Sequence, residues 1–297
     1  MTDCTKMYKE FYAFINIDNP LVAWEAAIGR IASSGTAREG AGVSLWMYRK
    51  LKNLSASKNR AAIHREFLLE SVRKEFFPDA VSRLQGVYFF ETKDDALKAY
   101  EFWGFNCPKE YLCKIGFNCQ KYTKVDSNFI TICMDSDDTD WMKQYWSGET
   151  YGEIPLYEII AEGFGYIIEP HDVSQKAYDK FHKEQIMTNP LISISRCAFS
   201  RGFINIARAT PFLTVEDNKL KGYFIMDMHD LDTNQQGIIK ALDDCHKNEG
   251  LIPIIKFENT DTFFAIPDMQ DQFFSLEFSE TIMADISPHI EEQSPSA

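Results

Sequence analysis

The run Arg83-Leu-Gln-Gly-Val-Tyr-Phe-Phe-Glu-Thr-Lys-Asp-Asp-Ala-Leu-Lys-Ala-Tyr100 constrains this chain more than any other stretch. Val87, Phe89 and their neighbours form a short apolar run of strand-forming residues, and Gly86 just before them permits close backbone approach. Asp94-Asp95 then opens a helical segment. The order glycine, strand, tight turn, helix allows Tyr88 and Tyr100 to flank one pocket, where one ring donates a hydrogen bond and the other stacks on a flat ligand. A planar heteroaromatic substrate suits that arrangement. The plainer alternative is a buried strand with a helix packed on it.

At 297 residues the chain has room for about two domains, each with a substantial core. A hydrophobic content of 45%, with 23 Phe and 13 Tyr, belongs to a folded protein rather than a disordered one. The net charge of −13 and pI near 5.0 argue against a generally basic nucleic-acid binder, yet allow a local basic cleft. No apolar run approaches 18 residues, and Met1-Thr-Asp-Cys-Thr-Lys6 lacks the apolar core of a signal peptide. The expected location is therefore the cytoplasm, with no membrane contact. Seven cysteines, an odd number, fit reduced thiols. Cys107, Cys113 and Cys119 stand six apart, unlike the close pairs of a zinc site, and read as core or strand residues.

In chain order, residues 8–17 read as a first strand dense in aromatics, and a helical stretch follows Asn19-Pro20 as far as Arg30. Ser33-Ser-Gly-Thr36 and Gly40-Ala-Gly42 read as loops, whose small residues either let a phosphate approach the backbone or merely turn the chain. Their spacing matches neither a Walker loop nor a dinucleotide fingerprint. From Arg49 to Arg83, nine Lys and Arg stand against four Asp and Glu, so the local charge balance reverses. One reading is a helix with a solvated face, on which Glu66, Glu70, Arg73 and Lys74 support one another. The other is a surface facing a pyrophosphate or a phosphate-bearing target, with Trp46 and Tyr48 stacking on bases.

Pro78 ends that helix, and Ser82-Arg83-Leu84 leads into the tyrosine strand. Tyr111–Cys119 and Asn128–Met134 read as strands. Asp135–Asp140 lacks the glycine and distal glutamate of a calcium loop, and reads as capping for a helix from Trp141 that Ser147-Gly148 closes. Then comes Leu156-Tyr-Glu-Ile-Ile-Ala-Glu-Gly163, with Glu158 inside an apolar strand. An ionised carboxylate is expensive to desolvate, so Glu158 has either a task or an edge position facing water. Glu153 and Glu162 are its rivals, in a loop and near the strand's end.

Taken together, Gly86-Val-Tyr-Phe89, Tyr100 twelve residues after Tyr88, and the late Glu158 resemble the ADP-ribosyltransferase superfamily, the poly-ADP-ribose polymerase branch most of all. The lead-in Pro78-x-x-x-Ser82-Arg83-Leu84 resembles a bacterial group within it. The resemblance covers about residues 5 to 169. It implies, in an α+β chain, an ADP-ribosyltransferase-like split β-sheet domain over residues 1–169; the residue pattern beyond it reads as a smaller α+β domain over 170–286 and a flexible acidic tail over 287–297.

It further implies that the substrate is NAD, that no catalytic metal takes part, and that Tyr88 and Tyr100 frame nicotinamide. Glu158 would accept a hydrogen bond from the nicotinamide ribose and stabilise the oxocarbenium-like centre, while Ser82 and Arg83 contact the cofactor. The family's first strand usually carries a His or Arg for the adenosine ribose or a phosphate. Here neither occurs, and Tyr12 is the substitute by position and chemistry. Leu156 stands where arginine-modifying members have Gln or Glu, which points away from an arginine acceptor. The implied activity is that of a mono-ADP-ribosyltransferase of the bacterial toxin or phage-defence type, acting on a macromolecule and neutralised by an antitoxin protein; the basic stretch from Arg49 to Arg83 favours RNA or single-stranded DNA slightly, while the net charge of −13 favours protein. An NAD glycohydrolase on the same fold, or an inactive binding module, are the alternatives.

Past Glu169-Pro170 no motif carries chemistry. Residues 171–189 and 233–247 read as helices, and Phe203–Ala207, Lys221–Met228, Pro253–Phe257 and Thr262–Ile266 as strands. Cys245-His246 and His229 form no visible nucleophile pair and take structural roles.

Overall fold

The computed structural model describes residues 7–37, 42–134, 136, 138–181, 189–249 and 268–291. The architecture is α+β with two antiparallel sheets. In the first, β1 (Met7–Phe14) pairs with β4 (Leu112–Asp126), and β4 with β5 (Tyr157–Glu169). Two short strands, β2 (Ile31–Ala32) and β3 (Val87–Phe89), both pair with β5. Beyond β3, Phe90 exchanges two backbone hydrogen bonds with Tyr12 of β1, so the sheet bends back on itself. That curl packs Phe89 against Phe11 and Phe117, with ring centroids 5.1 and 4.9 Å apart. The close approach of β4 and β5 requires glycine. Gly163 has φ +142°, and a Cβ there would run into the Asn118 carbonyl oxygen.

The helices form where the caps place them. Asn19 accepts hydrogen bonds from the Leu21 and Val22 amides to start α1 (Pro20–Ile28), and Gly29 ends it in the left-handed region. Ser44 and Asn59 likewise cap α2 (Leu45–Ala56) and α3 (Arg60–Phe76). Thr92 caps α4 (Lys93–Trp103) through the Asp95 amide. Further along lie α5 (Asn128–Cys133), α6 (Trp141–Ser147), α7 (His171–Lys180) and α8 (Pro190–Phe199).

The second sheet runs β6 (Arg208–Glu216), β7 (Lys219–Asp227), β8 (Phe274–Glu277). Asp217 and Asn218, both at positive φ, make the two-residue turn between β6 and β7. The helices of this half are α9 (His229–Thr233), α10 (Gln235–Glu249) and α11 (Glu280–Glu291).

One hydrophobic core joins Phe11, Trp24 and Phe117 of the first half to Ala209, Leu220 and Ile286 of the second. The expected division at residue 169 is thus crossed by shared packing. Trp24 Nε1 donates to the Ala207 carbonyl at 2.7 Å, and Arg30 donates to the carbonyls of Ile204, Ile206 and Ala207.

Several local expectations differ from what is observed. Asn128–Met134 holds α5, not a strand, because the Asp126 carboxylate turns the chain by accepting the Asn128, Tyr151 and Leu156 amides. Phe203–Ala207 is not a strand either, since its carbonyls are used by Arg30 and Trp24 rather than by a ladder, and β6 starts at Arg208. Asp140 makes no side-chain cap to α6. Ser287–Glu291 continue α11, with Ile290 buried, instead of beginning a tail. The segments 253–257 and 262–266, and residues Gly40, Ala41, Asp135 and Asp137, lie outside the described residues. Among the described residues no helix is long and apolar enough to cross a membrane.

Candidate functional site

Trp46, Arg49 and Lys50 fall at i, i+3 and i+4 on α2 and so share one face. Beneath that face α3 presents Glu66, which has no exposed surface. The reason is readable in the helix: Ile63, Glu66, Phe67 and Glu70 form one stripe at i, i+3, i+4 and i+7, and all four are buried. The expectation of a solvated acidic face on α3 is therefore corrected for Glu66 and Glu70, which point inward and take basic partners.

Glu66 forms an ion pair with Lys50, and accepts from Arg83 Nε at 3.0 Å and from Arg83 Nη2 at 3.3 Å. Arg83 Nη1 donates to the Tyr145 hydroxyl of α6 at 2.6 Å. Its guanidinium also lies over the Tyr88 and Tyr145 rings, 5.3 and 5.4 Å from the centroids. Tyr88 donates its hydroxyl to the Arg83 carbonyl at 2.7 Å and stacks on Trp46 with centroids 4.2 Å apart. The Trp46 ring, 38% exposed, is the outermost layer of this stack.

Glu158 enters from β5, opposite Val125 of β4. It is 5% exposed, yet its carboxylate has no hydrogen bond or ion pair among the described residues. It lines a cavity of about 560 Å³ together with Trp46, Arg49, Lys50 and Arg83. Asparagine amides, among them Asn53 and Asn106, and the Trp103 and Phe105 rings complete the wall.

The charges explain one another. Burial by itself raises the Glu66 carboxyl, but Arg83 and Lys50 outweigh that and hold it at about 2. Burial likewise opposes the Arg83 charge, and Glu66 more than restores it. Lys50 is lowered by desolvation, against the pull of Glu66. Glu158 goes the other way: desolvation raises its pKa, and Arg83 and Lys50 only partly offset this. The cluster thus contains two cations and two carboxylates, one of which is paired and one left facing the cavity.

The structure brings Arg83, Tyr88 and Glu158 into this cluster and places the other sequence-derived residues elsewhere. Ser82 accepts the Leu84 amide in the turn before β3. Tyr100 stacks on Phe14 at 5.0 Å and donates to the Cys107 carbonyl, so it does not share a cavity wall with Tyr88. Tyr12 packs with Phe90, Ala96, Ala99 and Leu156. Tyr48 is buried, and its hydroxyl donates to the Gln272 carbonyl. Lys50, Glu66 and Tyr145 were not expected as site residues, and Glu66 was expected on a solvated helix face. The signal for Glu66 was present, as a carboxylate on the apolar stripe of its own helix.

Among the described residues no group of three or more His, Cys, Asp or Glu is arranged to hold a metal. Cys113 and Cys119 are buried free thiols, pushed up to about 12 and about 11 by desolvation, and are not poised as nucleophiles.

A family model described as a protein of unknown function (DUF2441) matches residues 7–177, which run from β1 into α7 and include every residue of the Glu158 cluster. No curated protein matches the chain.

Proposed function

The chain belongs to the DUF2441 family, and we propose that it is a mono-ADP-ribosyltransferase that cleaves NAD at the nicotinamide bond with Glu158 at the reacting centre. The observation that carries this reading is the Glu158 carboxylate itself, buried, without a hydrogen-bond partner among the described residues, and lining a cavity of ligand size. The fold supports it. The Gly-x-Tyr-Phe strand β3 lies beside the glutamate strand β5, with Tyr88 opposite Ile160, two residues from Glu158. Within residues 1–169 the strands make one curled antiparallel sheet, in which the glutamate strand β5 pairs with β2, β3 and β4.

In this mechanism the bond between nicotinamide nitrogen and ribose C1′ breaks, and its electron pair leaves with nicotinamide. Positive charge develops on the ribose, and Glu158 meets it while accepting a hydrogen bond from a ribose hydroxyl. A nucleophile of the acceptor then bonds to C1′ and releases its proton. Lys50 and Arg83 act on Glu158 by charge: they oppose the desolvation that favours its neutral form. Arg83 is held by Glu66 and Tyr145, so it serves as a fixed cation here. The face for a flat ring is Trp46, with Tyr88 stacked as its support. Arg49 and Lys50 at the cavity suit an acceptor carrying phosphates, hence RNA or single-stranded DNA.

The test is incubation with adenine-labelled NAD and separate pools of RNA, single-stranded DNA and protein, reading nicotinamide release and label transfer together. The expected result is nicotinamide release with label on a nucleic-acid pool, and a loss of about 100-fold or more in Glu158→Gln with the fold intact. Free ADP-ribose without labelled acceptor identifies a glycohydrolase instead. No nicotinamide from the wild-type chain, or an unchanged rate in the variant, removes the reading.

A further inference from the structure

A second, smaller cavity of about 120 Å³ lies where β1, β2 and α2 meet β6, and it shares Asn16, Trp46 and Arg49 with the larger one. Four charged residues line it: Glu25, Arg30, Arg49 and Arg208. Glu25 is fully engaged. It takes Arg30 Nε at 2.5 Å and Nη2 at 2.8 Å, and its Oε1 also accepts the Ala209 amide at 2.8 Å. Arg49 and Arg208 have no ion pair among the described residues.

Arg208 is 3% exposed. Its Nη1 donates to Thr36 Oγ1 and Asn205 Oδ1, and its Nη2 to the Ser33 carbonyl at 2.6 Å. A guanidinium has five N–H donors, so Nε and one hydrogen on Nη2 are left without an acceptor among the described residues. Two residues along β6, the hydroxyl of Thr210, another lining residue, is buried with no hydrogen-bond partner among the described residues. Ser34 lines the same space, at the start of the small-residue turn Ser34–Thr36. A buried cation with no ion pair and a buried hydroxyl with no hydrogen bond, both among the described residues, are costly. One anionic group with several acceptor oxygens would relieve both.

We propose that this smaller cavity is an anion subsite that takes a phosphoryl group, held by Arg208, Arg49 and Thr210. Arg208 and Thr210 lie beyond the family-matched residues 7–177, so β6 adds to the first half a specificity that half does not contain. The apolar walls, Val22, Val43, Val87 and Pro211 among them, keep the local dielectric low and strengthen the attraction. Desolvation, helped by the neighbouring Arg30, lowers the Arg208 pKa to about 10, and Glu25 and Asp227 only partly offset this. The phosphoryl group either belongs to a dinucleotide whose other end reaches Glu158, through the shared Trp46 and Arg49 wall, or to a separate phosphorylated ligand.

The experiment is titration calorimetry of the full chain with inorganic phosphate and inorganic pyrophosphate. Wild type is expected to bind at least one of them saturably, and more weakly as salt rises. Thr210→Val removes a hydroxyl that has no partner, so it folds normally, and binding should fall about fivefold. Arg49→Gln, on the half-buried face of α2, should weaken binding about tenfold or more. Arg208→Gln should abolish it, with a circular dichroism melt run alongside. Pyrophosphate that displaces NAD assigns the phosphoryl to the dinucleotide; binding without displacement assigns it to a separate ligand, and both support the subsite. No saturable binding by wild type at millimolar concentrations, or wild-type affinity in both Thr210→Val and Arg49→Gln, overturns it. Because the probes contain no nicotinamide bond, failure of NAD cleavage alone counts against the Glu158 reading and not against this subsite.

Discussion

Two buried charge clusters flank the Trp46–Arg49 wall, and the group that each leaves unpaired has the opposite sign. Around Glu66, two cations meet two carboxylates, and the group left over is an acceptor, Glu158. Around Glu25, two guanidiniums meet one carboxylate, and what is left over is a set of donors on Arg208. In a low-dielectric interior the sign of the remainder indicates the ligand. A lone carboxylate suits developing positive charge, and a lone guanidinium suits an anion. The clusters differ also in redundancy, since Glu66 has two basic partners whereas Glu25 pairs with Arg30 and acts on Arg208 only by charge.

That difference in redundancy sets the largest expected effect. Glu25→Gln takes the ion pair from buried Arg30 and a neighbouring negative charge from buried Arg208, and should cost about 5 kcal/mol in urea unfolding. Arg83→Met leaves Glu66 still paired with Lys50, and should cost nearer to about 3.5 kcal/mol. Equal losses would show that Lys50 supplies no compensation, and the contrast between the clusters would fail.

Acid should act on the Glu66 cluster with a defined sign. Its folded-state pKa of about 2 lies below the ordinary value of 4.5. The stabilisation, about 3 kcal/mol, is therefore complete above pH 4.5 and lost as pH falls from there toward about 2. Unfolding measured from pH 7 down to pH 2 should show that loss, and Glu66→Gln should flatten it. Glu158 is raised instead of lowered, so its contribution runs in reverse: present below the ordinary carboxylate range, and lost as pH rises through its folded-state pKa. The smallest effect follows from that. Glu158→Gln should gain about 1 kcal/mol of stability at pH 7 while turnover disappears. The acid limb of the wild-type rate profile should lie above the usual glutamate range. A variant that is both less stable and still active would place Glu158 among structural carboxylates.

How much of this was legible in the sequence depends on the range of the forces involved. The strand holding Tyr88, the capped starts of α1 and α4, the close of α6 at Gly148 and the oddity of Glu158 in an apolar run all follow from neighbours within a few residues. Asn128–Met134 misleads for the same reason. Its β-branched residues favour a strand locally, but the Asp126 carboxylate, bound to amides up to 30 residues away, makes it a helix. Tyr100 has the right spacing from Tyr88 but faces Phe14, because the curl of the sheet onto β1 sets where α4 packs.

The sequence by itself determined the α+β class, the strand that presents Glu158 and the basic character of α2 and α3, since periodicity, capping and local charge are properties of adjacent residues. Only the tertiary structure decided which charges meet. Glu66 joins Arg83 across 17 positions, and Arg208 reaches Ser33 across 175. No spacing rule spans such separations. It is the burial of these groups in one shared core that makes each need a partner, and that leaves the Glu158 carboxylate and part of the Arg208 guanidinium facing their cavities without one among the described residues.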